Sequence, residues 1–204
     1  VQSDILINGT EENPVQISRM VENKPFGTFA IIGSSKKINV NINYLNISGG
    51  NEALVGGVRY LGQLSIHNSI TSLNNTIISN SSSDDGLNIR NSSVEIIESE
   101  FSDNYADQVD LDFCTGIVRD STFKINTGRG LTDQNGDGFD VSGSKIRLLK
   151  NNFSGFRDKG ISVGENSNVL IQDNTFRNNK NAITIKDGSN AFVLDNQFEV
   201  NEFM

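Results

Sequence analysis

The sequence predicts an all-β protein whose chain winds as a parallel β-helix of about seven to eight coils. Apolar anchors recur at intervals of 22 to 30 residues, at Ile77, Phe101, Phe123, Phe153, Phe176 and Phe198. Each anchor follows, by 13 to 15 residues, the start of a short strand in which one polar residue separates two apolar ones. These strands begin at Leu64, Leu87, Val109, Phe139, Ile161 and Ile183. Two signals that repeat together indicate stacked coils of about 22 residues.

The coils are clearest after residue 37. Residues 1–37 are the least regular part and predict an N-terminal cap or an irregular first coil. From Ile38 the segment INVNINYLNIS alternates apolar and polar residues, which indicates a strand with one buried face. We therefore assign residues 38–204 to the parallel β-helix. One interior stack is expected to contain Phe101, Phe123, Phe153, Phe176 and Phe198.

Two other folds fit the pattern less well. Leucine-rich repeats have a similar period, but their Leu-x-x-Leu-x-Leu line is absent from the sequence. An antiparallel sandwich would not keep polar residues in a constant register from coil to coil. The frequent asparagines suit a stack, since each side-chain amide can bond its copy in the next coil. We expect such ladders at Asn74, Asn152, Asn174 and Asn196.

Composition and charge narrow the function. The net charge of −8 disfavours binding to a nucleic-acid backbone or to an anionic membrane surface. No apolar run approaches the roughly 20 residues of a membrane-spanning helix. The single cysteine, Cys114, allows no disulfide within the chain and is expected to be a buried thiol. Because the chain begins at Val1 and not at Met, we expect a mature secreted protein or a domain excised from a longer one.

If the six strands stack in register, their outward residues form polar columns on one sheet. The first column is Ser65, Asn88, Asp110, Asp140, Ser162 and Thr184. The second column, which contains the only histidine, is His67, Arg90, Asp112, Ser142, Gly164 and Lys186. The third column, just before each strand, includes Asp85, Asp107, Asp137, Lys159 and Asn181. Together the columns predict an acidic patch near the middle of the rod.

The patch leaves three interpretations open: a solvated acidic face, a cation site, or a catalytic or sugar-binding site. Two carboxylates about 5 Å apart repel by roughly 3 kcal/mol at an effective dielectric of 20, so crowded acids need solvent, a cation or a raised pKa. Oxygen-rich clusters suit Ca²⁺, and the candidate ligands are Asp107, Asp110, Asp137 and Asp140. The candidate catalytic residues are Asp110, Asp112, Asp140, His67, Arg90 and Lys159.

Two long segments border the predicted patch. The segment NTGRGLTDQNGDG lengthens the coil before Asp140 and carries Arg129, Asp133 and Asp137. The segment NEALVGGVRY lengthens the coil before His67. Insertions in repeat proteins map to loops on one face, which is often the binding face, so both segments favour a functional patch.

Repeats such as VLIQDNTFRNNKNAITIKDGSN resemble those of the pectate-lyase-like superfamily, in particular its short-repeat branch. The resemblance covers the chain from about residue 38 to its end and implies a right-handed parallel β-helix. That branch contains carbohydrate-binding and sugar-hydrolysing domains. The stretches DLDFCTG, GFDVSGSK and DKGISVGENS are also similar to β-helix domains of large secreted bacterial proteins. The arginine signature of pectate lyases and the Asn-Thr-Asp motif of polygalacturonases are absent, so neither activity is transferred.

Three functions follow as hypotheses. The first, which we favour, is an extracellular β-helix domain of a larger bacterial protein that binds a polysaccharide or cell-envelope glycan. The second is a polysaccharide lyase or glycoside hydrolase that uses Asp110, Asp112 and Asp140. The third is a structural spacer attached to other domains. The resemblance implies a secreted or cell-surface bacterial protein, and calcium is the one cofactor that the acid cluster suggests.

Overall fold

The structure is a computed structural model that describes residues 2–126 and 136–203. The regular elements in these two ranges are β-strands. In chain order they are β1 (Ile5–Asn8), β2 (Val15–Ser18), β3 (Phe29–Ile32), β4 (Ile38–Asn43), β5 (Leu45–Ser48), β6 (Ala53–Val55), β7 (Val58–Tyr60), β8 (Gly62–His67), β9 (Ser69–Asn74), β10 (Ile77–Ser79), β11 (Asp85–Arg90), β12 (Ser93–Ile97), β13 (Glu100–Ser102), β14 (Asp107–Asp112), β15 (Thr115–Arg119), β16 (Thr122–Lys124), β17 (Phe139–Ser142), β18 (Lys145–Leu149), β19 (Asn152–Ser154), β20 (Lys159–Gly164), β21 (Asn168–Gln172), β22 (Thr175–Arg177), β23 (Asn181–Ile185), β24 (Asn190–Leu194) and β25 (Gln197–Glu199).

All of these strands except β6 and β7 form three long parallel sheets. Sheet 1 has the order β1-β4-β9-β12-β15-β18-β21-β24, and sheet 2 has the order β2-β5-β10-β13-β16-β19-β22-β25. Sheet 3 has the order β23-β20-β17-β14-β11-β8-β3. Each coil gives one strand to each sheet, as β11, β12 and β13 do in turn. The predicted parallel β-helix of seven to eight coils is confirmed, since the described parts of the sheets contain eight, eight and seven strands.

All six of the predicted apolar-polar-apolar strands lie in sheet 3, as β8, β11, β14, β17, β20 and β23. The apolar residues of the first five, among them Leu87, Ile89, Val109 and Leu111, are fully buried in the core, whereas Ile185 of β23 is 46% exposed. Strand side chains alternate between the two faces, so the polar residues between them point outward. The spacing of the repeat thus predicts both the sheet and the side that faces away from the core.

The phenylalanine stack fills the interior behind sheet 2. Neighbouring rings in the series have centroids 4.7 to 5.2 Å apart and planes within 11° of parallel. The predicted stack is therefore confirmed for all five rings: Phe101, Phe123, Phe153, Phe176 and Phe198. The predicted first anchor, Ile77, is wrong by one residue. Ile78 pairs with Phe101 and is fully buried, whereas Ile77 is 40% exposed, because only the second of two adjacent isoleucines points inward.

An asparagine ladder also runs along the stack. One of its members is Asn151, the residue before the predicted Asn152. Asn151 Nδ2 donates to Asn174 Oδ1 (3.1 Å), and Asn174 Nδ2 donates to Asn196 Oδ1 (3.0 Å). Asn174 and Asn196 were predicted members. Asn152 is not one, because it begins β19 with an exposed side chain. The inward amide of Asn151 takes the ladder position instead. Asn74 belongs to a separate ladder on sheet 1, in which Asn74 Nδ2 donates to Asn43 Oδ1 (3.2 Å) and Asn43 Nδ2 donates to Asn8 Oδ1 (3.4 Å).

The N-terminal strands join the same sheets. β1, β2 and β3 each occupy the edge position of one sheet and pair with β4, β5 and β8, respectively. Residues 5–32 thereby supply one strand to every sheet. The predicted boundary between residues 1–37 and 38–204 stays a prediction.

Candidate functional site

The outward side of sheet 3 brings six aspartates together, and we call these residues the acidic face: Asp85, Asp107, Asp110, Asp112, Asp137 and Asp140. Strand register pairs Asp85 with Asp107, and Asp110 with Asp140. Asp137 lies beside Asp107, since its backbone N–H donates to Asp107 Oδ1 (2.7 Å). Neighbouring strands are about 4.8 Å apart, so these carboxyl groups share a small area.

The backbone bends at the start of β8, beside the acidic face. Ser65 Oγ accepts the backbone N–H of Gly62 (3.2 Å) and lies 3.1 Å from the carbonyl oxygen of the same residue. The backbone three residues earlier therefore folds over the outward side of the strand. Asp85 pairs with Gly62 in the next coil, and Asn88 pairs with Ser65. Asp85 and Asn88 are each only 3% exposed, although they do not belong to the apolar core.

The acidic face has a buried floor and an accessible row. Asp85 and Asp137 form the floor, with 3% and 5% of their surfaces exposed. Asp110, Asp112 and Asp140 form the row, and each is partly exposed. A molecule that reaches this face can therefore contact the carboxyl groups of the row, and Asp107 is partly exposed as well.

Asp85 differs from the other two aspartates of its column in its hydrogen bonds. Asp107 Oδ1 accepts the backbone N–H of Asp137, and Asp137 Oδ1 accepts the backbone N–H of Lys159 (3.1 Å). Asp85 makes no such bond to the next coil, because the N–H of Asp107 donates to the carbonyl oxygen of Asp84 (2.9 Å). Asp85 Oδ2 is buried and has no hydrogen-bond partner among the described residues. Native proteins rarely bury a polar atom without a partner, which marks this position as unusual.

Burial raises the pKa of several of these carboxyl groups. It is the largest cause for Asp85, Asp107 and Asp110, whose pKa values lie well above the ordinary range of aspartate. The nearest carboxyl groups add to the effect: Asp110 acts on Asp85, Asp137 on Asp107, and Asp112 on Asp110. Burial also raises the pKa of Asp137 to about 7. Protonated carboxyl groups can donate hydrogen bonds as well as accept them, and such perturbed groups concentrate at functional sites.

Asn88 connects the only histidine with the acidic face. Its Nδ2 donates to Asp110 Oδ2 (2.9 Å), so its Oδ1 is left to accept from His67 Nε2 (2.9 Å). Burial lowers the pKa of His67, which keeps the ring neutral at pH 7. The His67 ring also lies 5.1 Å from the ring of Tyr60. His67 is thus coupled to Asp110 through Asn88 and not by direct contact.

Arg90 and Asp112 lie side by side at the ends of β11 and β14. Burial raises the pKa of Asp112, and the charge of Arg90 opposes that rise. The Arg90 guanidinium lies 5.5 Å from the centroid of the Phe113 ring. This corner therefore joins a cation, a carboxyl group and an aromatic ring at the edge of the acidic face.

Lys159 neutralises the floor of the acidic face. Its Nζ lies 3.3 Å from Asp137 Oδ1 and also contacts the carboxylate of Asp158. Burial lowers the pKa of Lys159, but the two carboxylates raise it by a larger amount, so the net shift of the pKa is upward. A lysine that stays charged stabilises nearby anions, whereas a catalytic base must give up its proton first. The position of Lys159 therefore suits a positioning role.

The two long segments border the site differently. In the segment before Asp140, Arg129 and Asp133 lie outside the described residues. The segment before His67 forms an antiparallel hairpin of β6 and β7, which ends at Tyr60. Tyr60 brings the hairpin beside His67. One insertion is thus in contact with the columns, at the end that carries the histidine.

Comparison with protein families identifies the fold independently. Residues 61–204 match the family described as "Right handed beta helix region". The chain belongs to this family. The coils of the β-helix are accordingly right-handed, as the sequence resemblance implies. No curated protein matches the chain. The family defines the scaffold, and the function must be argued from the site that the β-helix carries.

The proposed calcium ligands of the β-helix are already engaged by protein groups. Asp107 accepts a backbone N–H, and Asp137 binds both the backbone and the side chain of Lys159. Within residues 2–126 and 136–203, no three His, Cys, Asp or Glu side chains are arranged to hold a metal ion. The calcium site stays a prediction.

The calcium hypothesis has a direct thermal test. An ion held by the acidic face would stabilise the folded β-helix, because it binds that state preferentially. Millimolar Ca²⁺ would then raise the melting temperature, and combined Asp110→Asn and Asp140→Asn substitutions would abolish the rise. Identical melting curves with Ca²⁺ and with a chelator would instead favour a solvated acidic face.

Four residues of the β-helix site were not among the sequence-predicted candidates: Asp85, Asn88, Phe113 and Asp158. Asp85 and Asn88 do lie in the predicted columns, which were the available signal. Both residues are buried, which the alternation of polar and apolar residues does not reveal. Asp158 precedes Lys159 and forms its second ion pair. Phe113 lies just beyond the strand and was not assigned to a column.

Two further observations concern membrane-spanning helices and the single cysteine. The described part of the chain contains no helix that is long and apolar enough to cross a membrane. Cys114 is buried, and burial raises the pKa of its thiol to about 11. Because the thiolate is the reactive form, this cysteine is inert at neutral pH and contributes to packing.

Proposed function

We propose that the acidic face binds a glycan through the hydroxyl and amino groups of its sugars. Carboxylates accept hydrogen bonds from such groups, and charged acceptors form the stronger bonds. A net charge of −8 and six clustered aspartates disfavour an anionic partner. A glycan ligand would also make this a secreted or cell-surface domain, in keeping with a larger bacterial parent protein.

One observation carries this proposal: the carboxyl groups of the row are partly exposed and keep spare acceptor capacity. Asp110 accepts one hydrogen bond from Asn88, and Asp140 accepts one from the backbone N–H of Val141 (3.0 Å). A carboxylate offers about four lone-pair sites, so both residues can still accept donors from a ligand. Their alignment along the rod suits an extended chain with repeated donors.

Binding is tested with three hexasaccharides of different charge, from chitosan, cellulose and polygalacturonate. We expect the amino-bearing chitosan fragment to bind best and the polyuronate to bind worst, by calorimetry at pH 7. Asp110→Asn combined with Asp140→Asn should weaken binding about tenfold or more, because both carboxyl groups that would bind the sugar are lost. Thr184→Ala, in the same column but away from the acids, is the matched control. Unchanged binding in the double variant would remove the acidic face from the proposal.

A glycoside hydrolase is the second candidate, and the register of Asp110 with Asp140 favours it. Hydrolases that retain the sugar configuration place two carboxyl groups about 5–5.5 Å apart, which adjacent strands can provide. The raised pKa of Asp110 would suit it to donate a proton, with Asp140 as the second carboxyl group. New reducing ends that disappear in Asp140→Asn, but persist in Thr184→Ala, would promote the enzyme over the binder.

A lyase and a spacer complete the alternatives. A lyase needs a base near an acidic sugar, and Lys159 is occupied by two carboxylates. Absorbance from unsaturated products on polyuronates would reveal such an activity. A spacer would bind none of the three hexasaccharides and would turn over none of them.

A further inference from the structure

Phe113 occupies a corner position that neighbouring coils fill with asparagine or glycine. Asn68, Asn91, Phe113 and Gly143 follow successive strands of sheet 3, and all have positive φ, between 51° and 59°. The N–H of Asn91 donates to the carbonyl oxygen of Asp112, and that of Phe113 to Ser142, so the corners stack in register. Phenylalanine is the only aromatic residue among these four corners.

This conformation is unfavourable for a bulky side chain. Positive φ suits asparagine, aspartate and glycine, and most of the other non-glycine residues with positive φ in the described chain are Asn or Asp. Asn91 Nδ2 also donates to Asn68 Oδ1 (3.4 Å), a ladder that Phe113 interrupts. The backbone conformation of Phe113 costs free energy, and its side chain cannot form the hydrogen bond that an asparagine would form in the ladder. Such a residue suggests a role other than stability.

The ring is held in place but remains accessible. The guanidinium of Arg90 lies 5.5 Å from the ring centroid, and Gly143 lies against the ring in the next coil. A Cβ at Gly143 would come within 2.7 Å of two ring carbons, so only glycine leaves space for the phenylalanine there. The Phe113 side chain is still 51% exposed. The neighbouring coils thus position an aromatic surface without covering it.

The ring lies at the edge of the acidic face. Phe113 directly follows Asp112, and Arg90 is the register partner of Asp112 on the adjacent strand. A sugar presents an apolar C–H face and, around its rim, hydroxyl groups. An exposed aromatic ring beside one carboxyl group and one guanidinium matches both features, because binding sites combine apolar surface with a few placed polar groups.

We propose that Phe113 forms a stacking subsite for one sugar ring of the bound glycan, with Asp112 and Arg90 contacting its hydroxyl groups. This inference rests on the proposed glycan-binding function and adds the residue that recognises the apolar side of the sugar. Carboxyl groups cannot make this apolar contact, which gives a reason for a phenylalanine in the strained corner.

The test separates stability from binding. Phe113→Asn restores the residue found at the two preceding corners, and should leave the melting temperature unchanged or raise it by about 2–4 °C. The same variant should bind the chitosan hexasaccharide about tenfold more weakly, the loss expected for one aromatic contact. Phe113→Tyr keeps a flat ring and should bind within about threefold of the wild type. Phe113→Leu keeps apolar bulk without the flat ring and should bind like the asparagine variant.

The outcomes separate a failure of the Phe113 subsite from a failure of the proposed glycan binding. If Phe113→Asn binds as tightly as the wild type, while the Asp110→Asn and Asp140→Asn double variant does not bind, the subsite is overturned and glycan binding stands. A fall in melting temperature of more than about 4 °C in Phe113→Asn would assign the ring a structural role and also overturn the subsite. If the wild type binds none of the three hexasaccharides, the proposed function and this subsite fail together.

Discussion

Replacing Phe153 by Ala is expected to lower the free energy of unfolding by about 3–5 kcal/mol. The ring is fully buried and stacks on Phe123 at 4.7 Å and on Phe176 at 5.1 Å. Its removal would leave a cavity between two coils whose own rings are fixed by further stacking, so the interior can collapse only in part. Denaturant titration of the purified chain measures the loss. Phe176→Ala should behave alike, because Phe176 has the same two-sided stack.

Thr184→Ala is the matched control for this prediction. Thr184 lies on the outward side of sheet 3, in register with Ser162, and is partly exposed. Its replacement should change the free energy of unfolding by well under about 1 kcal/mol. Equal losses for Phe153→Ala and Thr184→Ala would contradict the assignment of the inner and outer sides of the coils.

Raising the pH from about 4 to about 8 is expected to lower the free energy of unfolding. Asp137 is the residue whose contribution to this loss can be given a size. Burial raises its pKa from 3.8 to about 7, so the folded state holds this proton more tightly than the unfolded state does. The contribution is fully present below pH 3.8 and is lost as the pH rises through about 7. A shift of this size corresponds to a loss on the order of 4 kcal/mol. Asp85, Asp107 and Asp110 act in the same direction.

Asp137→Asn tests this prediction with little change in shape. The amide oxygen can still accept the backbone N–H of Lys159, and the ionisation is gone. The variant should be more stable than the wild type at pH 8 and show a flatter dependence of unfolding free energy on pH. His67 opposes the trend over a narrower range, since its lowered pKa favours folding as the pH rises towards 6.5. Glu95→Gln, an exposed charge on sheet 1, is the control.

An increase of wild-type stability between pH 4 and pH 8 would contradict the raised pKa values of the buried aspartates. So would an Asp137→Asn variant that keeps the full pH dependence of the wild type. Either result would mean that water or ions reach the floor of the acidic face and solvate its carboxylates.

The repeat alone determined the scaffold of this protein. Because strand side chains alternate with a period of two and coils stack in register, the strands from Leu64 to Ile185 could be aligned without a structure. That alignment placed Asp110 beside Asp140 and the five phenylalanines in one interior stack, as the structure has them. It failed by one residue at Ile77, where two adjacent isoleucines satisfy the same apolar pattern and only the corner at Thr76 decides between them.

Only the tertiary structure decided which of the aligned polar residues are shielded and which are open. The columns predict that Asp85 and Asp110 share a face, but Asp85 is buried in the structure and Asp110 is partly exposed. The bridge through Asn88 and the setting of Phe113 between Arg90 and Gly143 depend on contacts between coils 20 to 30 residues apart. Alternation records the side of a strand on which a residue lies. Its solvent exposure and its pKa depend on neighbours that the local pattern does not specify.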